Sequence, residues 1–162
     1  MEFSSGGVVF KKEKDKILWL VTRSSPSKKY PEKIWRLPKG WIDDENDKPG
    51  PFARCDKKAD EVKLRESAVR EVEEEGGIEA EIINKIGTNK MFFTRSGEKI
   101  LKFVTFYLMM WKRNLPEGFG FETSEVGWFT LEKAKEKLKY TSEKEILEKA
   151  NKILNSGTSP KS

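Results

Sequence analysis

The sequence contains no histidine and a single cysteine, Cys55. The first absence excludes imidazole general bases, Ser–His–Asp and Cys–His nucleophile systems, and histidine-ligated zinc. The second excludes disulfides within the chain, cysteine-cluster zinc and cysteine-ligated iron–sulfur centres. No apolar run reaches the roughly 18 residues that a membrane-spanning helix needs. Residues 1–5 lack the basic-then-apolar order of a secretory signal, so a cytoplasmic location without membrane partners is expected. The reactive groups that remain are carboxylates, lysines, hydroxyls and backbone. An enzyme built from these leans on hard metal ions held by carboxylate oxygens.

The 162 residues carry 32 Lys and Arg against 27 Asp and Glu, a net charge of +5. The length suits one domain, since domains run to roughly 100–200 residues. The basic balance favours anionic partners: phosphorylated small molecules first, with nucleic acid less favoured because no nucleic-acid motif accompanies the charge. Strands are predicted over 3–10, 17–21, 78–86, 100–111 and 126–129, from apolar and β-branched runs of strand length. Lysine-rich segments at 11–16 and 24–33 read as a turn and a loop. Residues 43–60 contain Pro49-Gly50-Pro51 and dense charge of both signs, with no apolar period. They read as a long polar insertion, expected to border the functional site and to be mobile. Helices are predicted over 61–75, stopped by Gly76-Gly77, and over 131–138 and 142–154, the last opened by a Ser142-x-x-Glu145 capping box. The domain is expected to span 1–155, followed by a flexible tail, 156–162. The fold class is α/β or α+β, a sheet with helices on its faces.

The most informative segment is Arg70-Glu71-Val72-Glu73-Glu74-Glu75-Gly76-Gly77-Ile78. Residues three and four apart share a helix face, so Glu71 lies beside Glu74 and Glu75. Like charges so placed repel unless a cation offsets them, and oxygen-only ligands suit magnesium. Arg70, four residues before Glu74, can hold that carboxylate. Spacing alone is equally compatible with a solvated acidic helix face.

Arg-Glu-apolar-x-Glu-Glu-x-Gly-apolar resembles the second half of the signature of Nudix pyrophosphohydrolases, and Leu37-Pro38-Lys39-Gly40 resembles its lead-in. The resemblance runs from Gly6-Gly7-Val8-Val9 to Glu145–Ala150. Two features depart from the family pattern. Val62 stands where the signature's first glutamate belongs, with Glu61 one position off, and the interval after Gly40 is lengthened by 43–60. The resemblance implies an α/β/α sandwich with a mixed sheet between helices 61–76 and 142–155. It also implies a magnesium-dependent hydrolase, with manganese as the alternative ion, acting on a nucleoside diphosphate linked to another group. It makes Glu71, Glu74, Glu75 and the Gly40 carbonyl the metal ligands. Arg70 becomes an orienting residue, and Glu75 or Glu122 the general base.

Pro-Lys-Gly before the signature, the stretch 99–108 and the segment 138–147 are similar to diadenosine tetraphosphate hydrolases. This implies asymmetric cleavage to ATP and AMP, with Lys39, Lys90 and Lys102 along the polyphosphate and Phe92, Phe93 or Tyr140 against adenine. Other readings are a diphosphoinositol polyphosphate, a nucleoside triphosphate or an RNA 5′ end as substrate, or a nucleotide-binding regulator without catalysis. The sequence leaves the oligomeric state open.

Overall fold

The computed structural model describes residues 1–26 and 33–156. Part of the 24–33 segment and the tail from 157 onward lie outside the described residues. β1 (Glu2–Glu13) is the central strand and is buried on both faces. Val8 and Phe10 point to one side, Gly7 and Val9 to the other, as the two-residue period of a strand requires. β1 turns through Lys14, at φ 57°, into β2 (Lys16–Ser24), which pairs antiparallel with residues 10–13. β3 (Trp35–Arg36) lies on β2, and β4 (Lys39–Trp41) pairs with residues 4–6 of β1. The sheet therefore forks: one half of β1 is paired with β2 and the other half with β4.

A two-stranded ribbon, β5 (Asp44–Glu45) and β6 (Lys48–Pro49), precedes α1 (Glu61–Gly76). β7 (Ile78–Arg95) and β8 (Glu98–Asn114) form a long hairpin, and β8 runs parallel to β1. β9 (Thr123–Phe129) pairs with β2, followed by α2 (Leu131–Lys137) and α3 (Thr141–Asn155). The main sheet runs β3-β2-β1-β8-β7 with β4 and β9 attached. It is mixed, as expected, and separates two helical layers.

On one face Ala68 and Val72 of α1 pack on Val9, Leu20, Tyr107 and Met109. On the other, Ile146, Leu147 and Ala150 of α3 pack on Val8, Phe10, Val104, Phe106 and Leu108. These side chains are at most a few percent exposed. Each contributes about 1.5–3 kcal/mol where it is a full-sized apolar group. α1 is set at both ends. The Asp60 carboxylate accepts from Lys63 N at 2.9 Å, and Gly77, at φ 68°, closes the helix with its amide on the Glu73 carbonyl. A side chain at Gly77 would sit 2.6 Å from the Phe119 amide, so glycine is demanded there by space as well as by backbone angle.

Three expectations are corrected. The strands at 78–86 and 100–111 are only the inner parts of the hairpin, which continues to a two-residue turn, Ser96-Gly97, with φ of 51° and 81°. Both positive angles give a primed turn that matches strand twist. Within 43–60, read as a long loop, residues 44–49 form the β5–β6 ribbon and 50–60 are turns and irregular chain with fixed backbone contacts. Beyond the ribbon, the Asp43 carboxylate accepts from Phe52 N (3.2 Å) and Ala53 N (2.8 Å), and Ala53, fully buried, accepts from Phe3 N at 2.8 Å. The 142–145 capping box does not form. α3 starts after Tyr140, with no side-chain cap, and the amides of Glu143 and Lys144 turn to the Tyr140 carbonyl.

Candidate active site

The strap Leu37-Pro38-Lys39-Gly40 crosses the fork of the sheet and is gripped from both helical layers. From α1, Glu75 Oε1 accepts from the Lys39 amide at 3.1 Å. Gly40 lies so close to Glu71 that a Cβ there would stand 2.0 Å from its Oε1. Only a residue without a side chain lets the backbone approach that carboxylate. From α3, Glu143 accepts from Leu37 N at 3.0 Å and from Lys39 Nζ at 2.5 Å. Glu143 is fully buried, and Glu71 and Glu75 nearly so.

Burial is the main reason the Glu71 carboxyl is pushed up to about 8, followed by the neighbouring charges of Glu75 and Glu74; Arg70 acts in the opposite sense. Glu75 is also raised, first by burial, although Arg36, Lys39 and the Lys39 amide oppose it and Glu122 adds to it. Arg36 reaches Glu75 Oε2 at 3.5 Å. Glu122 is exposed. Four glutamates thus feel one another at this end of α1. Among the described residues no three acidic groups are drawn together into a closed metal cluster. Glu74 leans outward toward Arg70 Nε at 3.9 Å. The donor set nevertheless fits a divalent ion. Two carboxylates pressed toward protonation first by burial, with Glu75 and Glu74 adding to it at Glu71 and Glu122 adding to it at Glu75, are an unfavourable arrangement that a hard cation reverses.

Arg70 does not face the interior of this cluster. Its Nη2 donates to the carbonyls of Trp41 (3.1 Å) and Ile42 (3.2 Å) and to Glu71 Oε2 (3.3 Å). It ties the chain leaving Gly40 to α1. Val62 is 61% exposed and faces away from the sheet. Glu61 accepts from Tyr107 OH, and from Lys85 Nζ at 2.8 Å. Burial raises the Glu61 carboxyl, but those two hydrogen bonds outweigh it and hold the group below its ordinary value. The glutamate anchoring the start of the helix is therefore one position earlier than the signature has it.

The basic side of the site is Arg36, Lys39 and Lys102. Lys102 is driven down to about 8, first by burial and then by Lys39 and Arg36, with Glu2 and Glu75 opposing. These charges are close enough to act as a group. Phe93 lies under Lys102, whose Nζ is 5.6 Å from the ring centroid, and Tyr140 lies 5.7 Å from Lys39 Nζ. Lys90 and Phe92 do not join them. Strand alternation puts residues 90 and 92 on the face opposite Met91 and Phe93. Phe92 is 56% exposed there, beside Lys99 and Lys90. The expectation that Lys90 and Phe92 contact the same substrate as Lys102 is corrected on that geometry.

Sequence reasoning missed five residues beside the site. Arg36 was legible as a cation next to the Leu-Pro-Lys-Gly lead-in. Trp41 and Arg95 surround Glu2: Glu2 Oε1 accepts from Trp41 Nε1 at 2.8 Å, and Arg95 Nη1 reaches Oε2 at 2.8 Å. Arg95 also lies 5.6 Å from the Trp41 ring and 5.0 Å from Phe93. Glu143 had no local signal, because its partners are more than 100 residues away.

No helix of the described residues is long and apolar enough to cross a membrane. The sequence matches the NUDIX domain over residues 3–150. MutT4 of Mycobacterium tuberculosis is 27% identical over 121 residues, which are 75% of this chain and 42% of that protein; this chain thus spans well under half of that relative. A Caenorhabditis elegans Ap4A hydrolase in a binary complex shares the fold with TM-score 0.66 and 23% identity, covering 96% of this chain and 99% of that one. The NUDIX domain of Shewanella oneidensis NrtR, complexed with ADP ribose, shares it with TM-score 0.64 and 14% identity over 96% and 89%.

Proposed function

The chain belongs to the NUDIX domain family, and on that premise we propose that it is a pyrophosphohydrolase that splits diadenosine tetraphosphate asymmetrically into ATP and AMP. One observation carries the reading. Glu71 and Glu75 close on the Lys39–Gly40 backbone, and Arg36, Lys39 and Lys102 stand next to them. Carboxylates for a cation and cations for an anion, side by side, suit a metal-complexed polyphosphate better than a neutral or cationic ligand.

Glu71, Glu74, Glu75 and the Gly40 carbonyl would hold magnesium or manganese, which would supply positive charge to offset the repulsion between the glutamates and the phosphates. The protein's own groups do the rest. Arg36 and Lys102 bind phosphate oxygens and keep the chain in register over the glutamates. Arg70 fixes the backbone after Gly40, so the carbonyl at that position is preorganised. Glu122 takes the proton from the attacking water. Of the two candidate bases, Glu75 already accepts from Lys39 N and pairs with Arg36, whereas Glu122 is open to solvent. Phe93 and Tyr140 flank the basic group and offer flat faces to adenine. In the asymmetric scheme the bridge between the first and second phosphates breaks: water's oxygen joins one of these two phosphorus atoms and the other departs with the bridging oxygen, leaving ATP and AMP. The likeness in fold to an Ap4A hydrolase supports this choice of substrate.

The test is hydrolysis in oxygen-18 water with magnesium. ATP and AMP, with the label in one of them only, is the expected result. Two equivalents of ADP would contradict the asymmetric scheme. Faster turnover of ADP-ribose, a nucleoside triphosphate, an inositol pyrophosphate or a triphosphorylated RNA end would move the assignment to that substrate.

A further inference from the structure

The strap that carries Gly40 is held by a group from the far end of the chain. Glu143, on the first turn of α3, has no exposed surface at all. Its Oε1 accepts from the Leu37 amide at 3.0 Å and its Oε2 from Lys39 Nζ at 2.5 Å. The Lys39 side chain is itself only 7% exposed. Its ammonium is flanked by the Tyr140 ring at 5.7 Å. The amide of the same residue donates to Glu75, and Gly40 then lies against Glu71. These links from Glu143 to the α1 glutamates run through Leu37, Lys39 and Gly40 of one short segment.

We infer that Glu143 is a positioning residue for this site, fixing the Lys39 ammonium and the strap Leu37–Gly40 against Glu75 and Glu71. The inference rests on the reading of this site as a polyphosphate hydrolase centre. A buried carboxylate costs desolvation that a surface residue never meets. Here that cost is offset by a close ammonium and a backbone amide. Such a pair is weak cement for a fold, because two apolar groups of similar volume serve as well. Its particular effect is to fix where a lysine nitrogen and a backbone stand. Lys39 accordingly is not a free arm that reaches for phosphate, as the sequence suggested. It is a fixed charge whose place is set from α3.

The pair separates folding from positioning. Removing one partner leaves a buried charge uncompensated, whereas removing both leaves none. Four proteins are compared: wild type, Glu143→Gln, Lys39→Met and the double variant. Melting temperature and magnesium-dependent kcat and KM are measured for diadenosine tetraphosphate, ADP-ribose and a nucleoside triphosphate. The single variants are expected to melt earlier and to lose about tenfold or more in kcat/KM. The double variant is expected to regain most of the melting temperature and none of the rate. Adding Glu143→Gln to Lys39→Met should then change kcat/KM by less than about threefold, since Glu143 acts through Lys39. Recovery of rate together with stability in the double variant would overturn the inference, as would wild-type kinetics in Glu143→Gln. A wild-type protein that is inactive on the dinucleotide but active on another substrate counts against the substrate reading alone, and the four-way comparison then runs on that substrate.

Discussion

Glu71 is a nearly buried carboxylate that stays next to like charges. Its carboxyl titrates near 8, against an ordinary 4.5. The folded chain therefore keeps a proton that the unfolded chain has lost between these two values. Folding stability from this group is fully present below pH 4.5 and is lost as pH rises through about 8. Lys102, lowered to about 8 from 10.5, acts in the opposite sense only above that window. With divalent ions chelated, the melting temperature is expected to fall between pH 5 and 8. Magnesium should raise it most at the upper end, where the carboxylate is free to bind. Thermal melts across pH, with and without magnesium, check this. Glu71→Gln should flatten the slope and reduce the magnesium effect, and an unchanged slope in that variant would remove Glu71 from the ligand set.

The elements show where a sequence is legible and where it is not. α1 was readable to within a residue, because its cap, apolar spacing and glycine stop all act locally. The outer half of the β7–β8 hairpin was not. Residues 87–95 are Gly-Thr-Asn-Lys-Met-Phe-Phe-Thr-Arg, a run whose strand character comes from pairing with β8 and not from an apolar period. Only Ser96-Gly97 marked the turn. Among the candidate site residues, Glu71, Glu75, Gly40 and Arg70 were visible because Arg70–Ile78 and Leu37–Gly40 resemble the family signature, whereas their spacing alone also fits a solvated acidic helix face. Trp41, Arg95 and Glu143 were invisible because their partners are set by tertiary pairing.

The backbone contacts of the 43–60 segment were not legible for a related reason: several of them come from one carboxylate. Asp43 holds the amides of Phe52 and Ala53, and its own carbonyl accepts from Gly50 N at 3.0 Å. A side chain at Gly50 would lie 2.6 Å from that carboxylate. Asp43→Ala is expected to cost about 1–3 kcal/mol, the range for one buried amide left unsatisfied, since Ala53 is fully buried and Phe52 only half-buried. A deletion confined to the ribbon tip at 45–48 should cost far less, since surface loop length matters little. Urea melts of the two variants rank them, and an equal loss in both would refute this account.

At the scale of the molecule, the net charge of +5 is spread over both signs, yet the site concentrates Arg36, Lys39 and Lys102 on one side and four glutamates on the other. Exposed charges are screened over about 8–10 Å at physiological salt, and buried ones much less. Raising sodium chloride from about 0.05 to 0.5 M should therefore raise KM for a tetraphosphate severalfold while kcat changes little. Steady-state kinetics at constant free magnesium test this. A fall in kcat at constant KM would place the salt-sensitive step after binding.

The parallel pair of β1 and β8 sets residue 2 beside residue 102 and residue 10 beside residue 110. A nascent chain cannot make that pairing until the ribosome has released the second strand. Until then α1 has half a sheet to dock on, and its glutamates have no finished wall behind them. Pairings of such sequence separation slow folding toward the millisecond-to-second range, because a long loop must close before any contact rewards it. During synthesis the carboxylates of α1 leave the ribosomal tunnel before β8 and α3 do, so the contacts of Glu143 with Leu37 and Lys39 can form only after both of those elements have emerged.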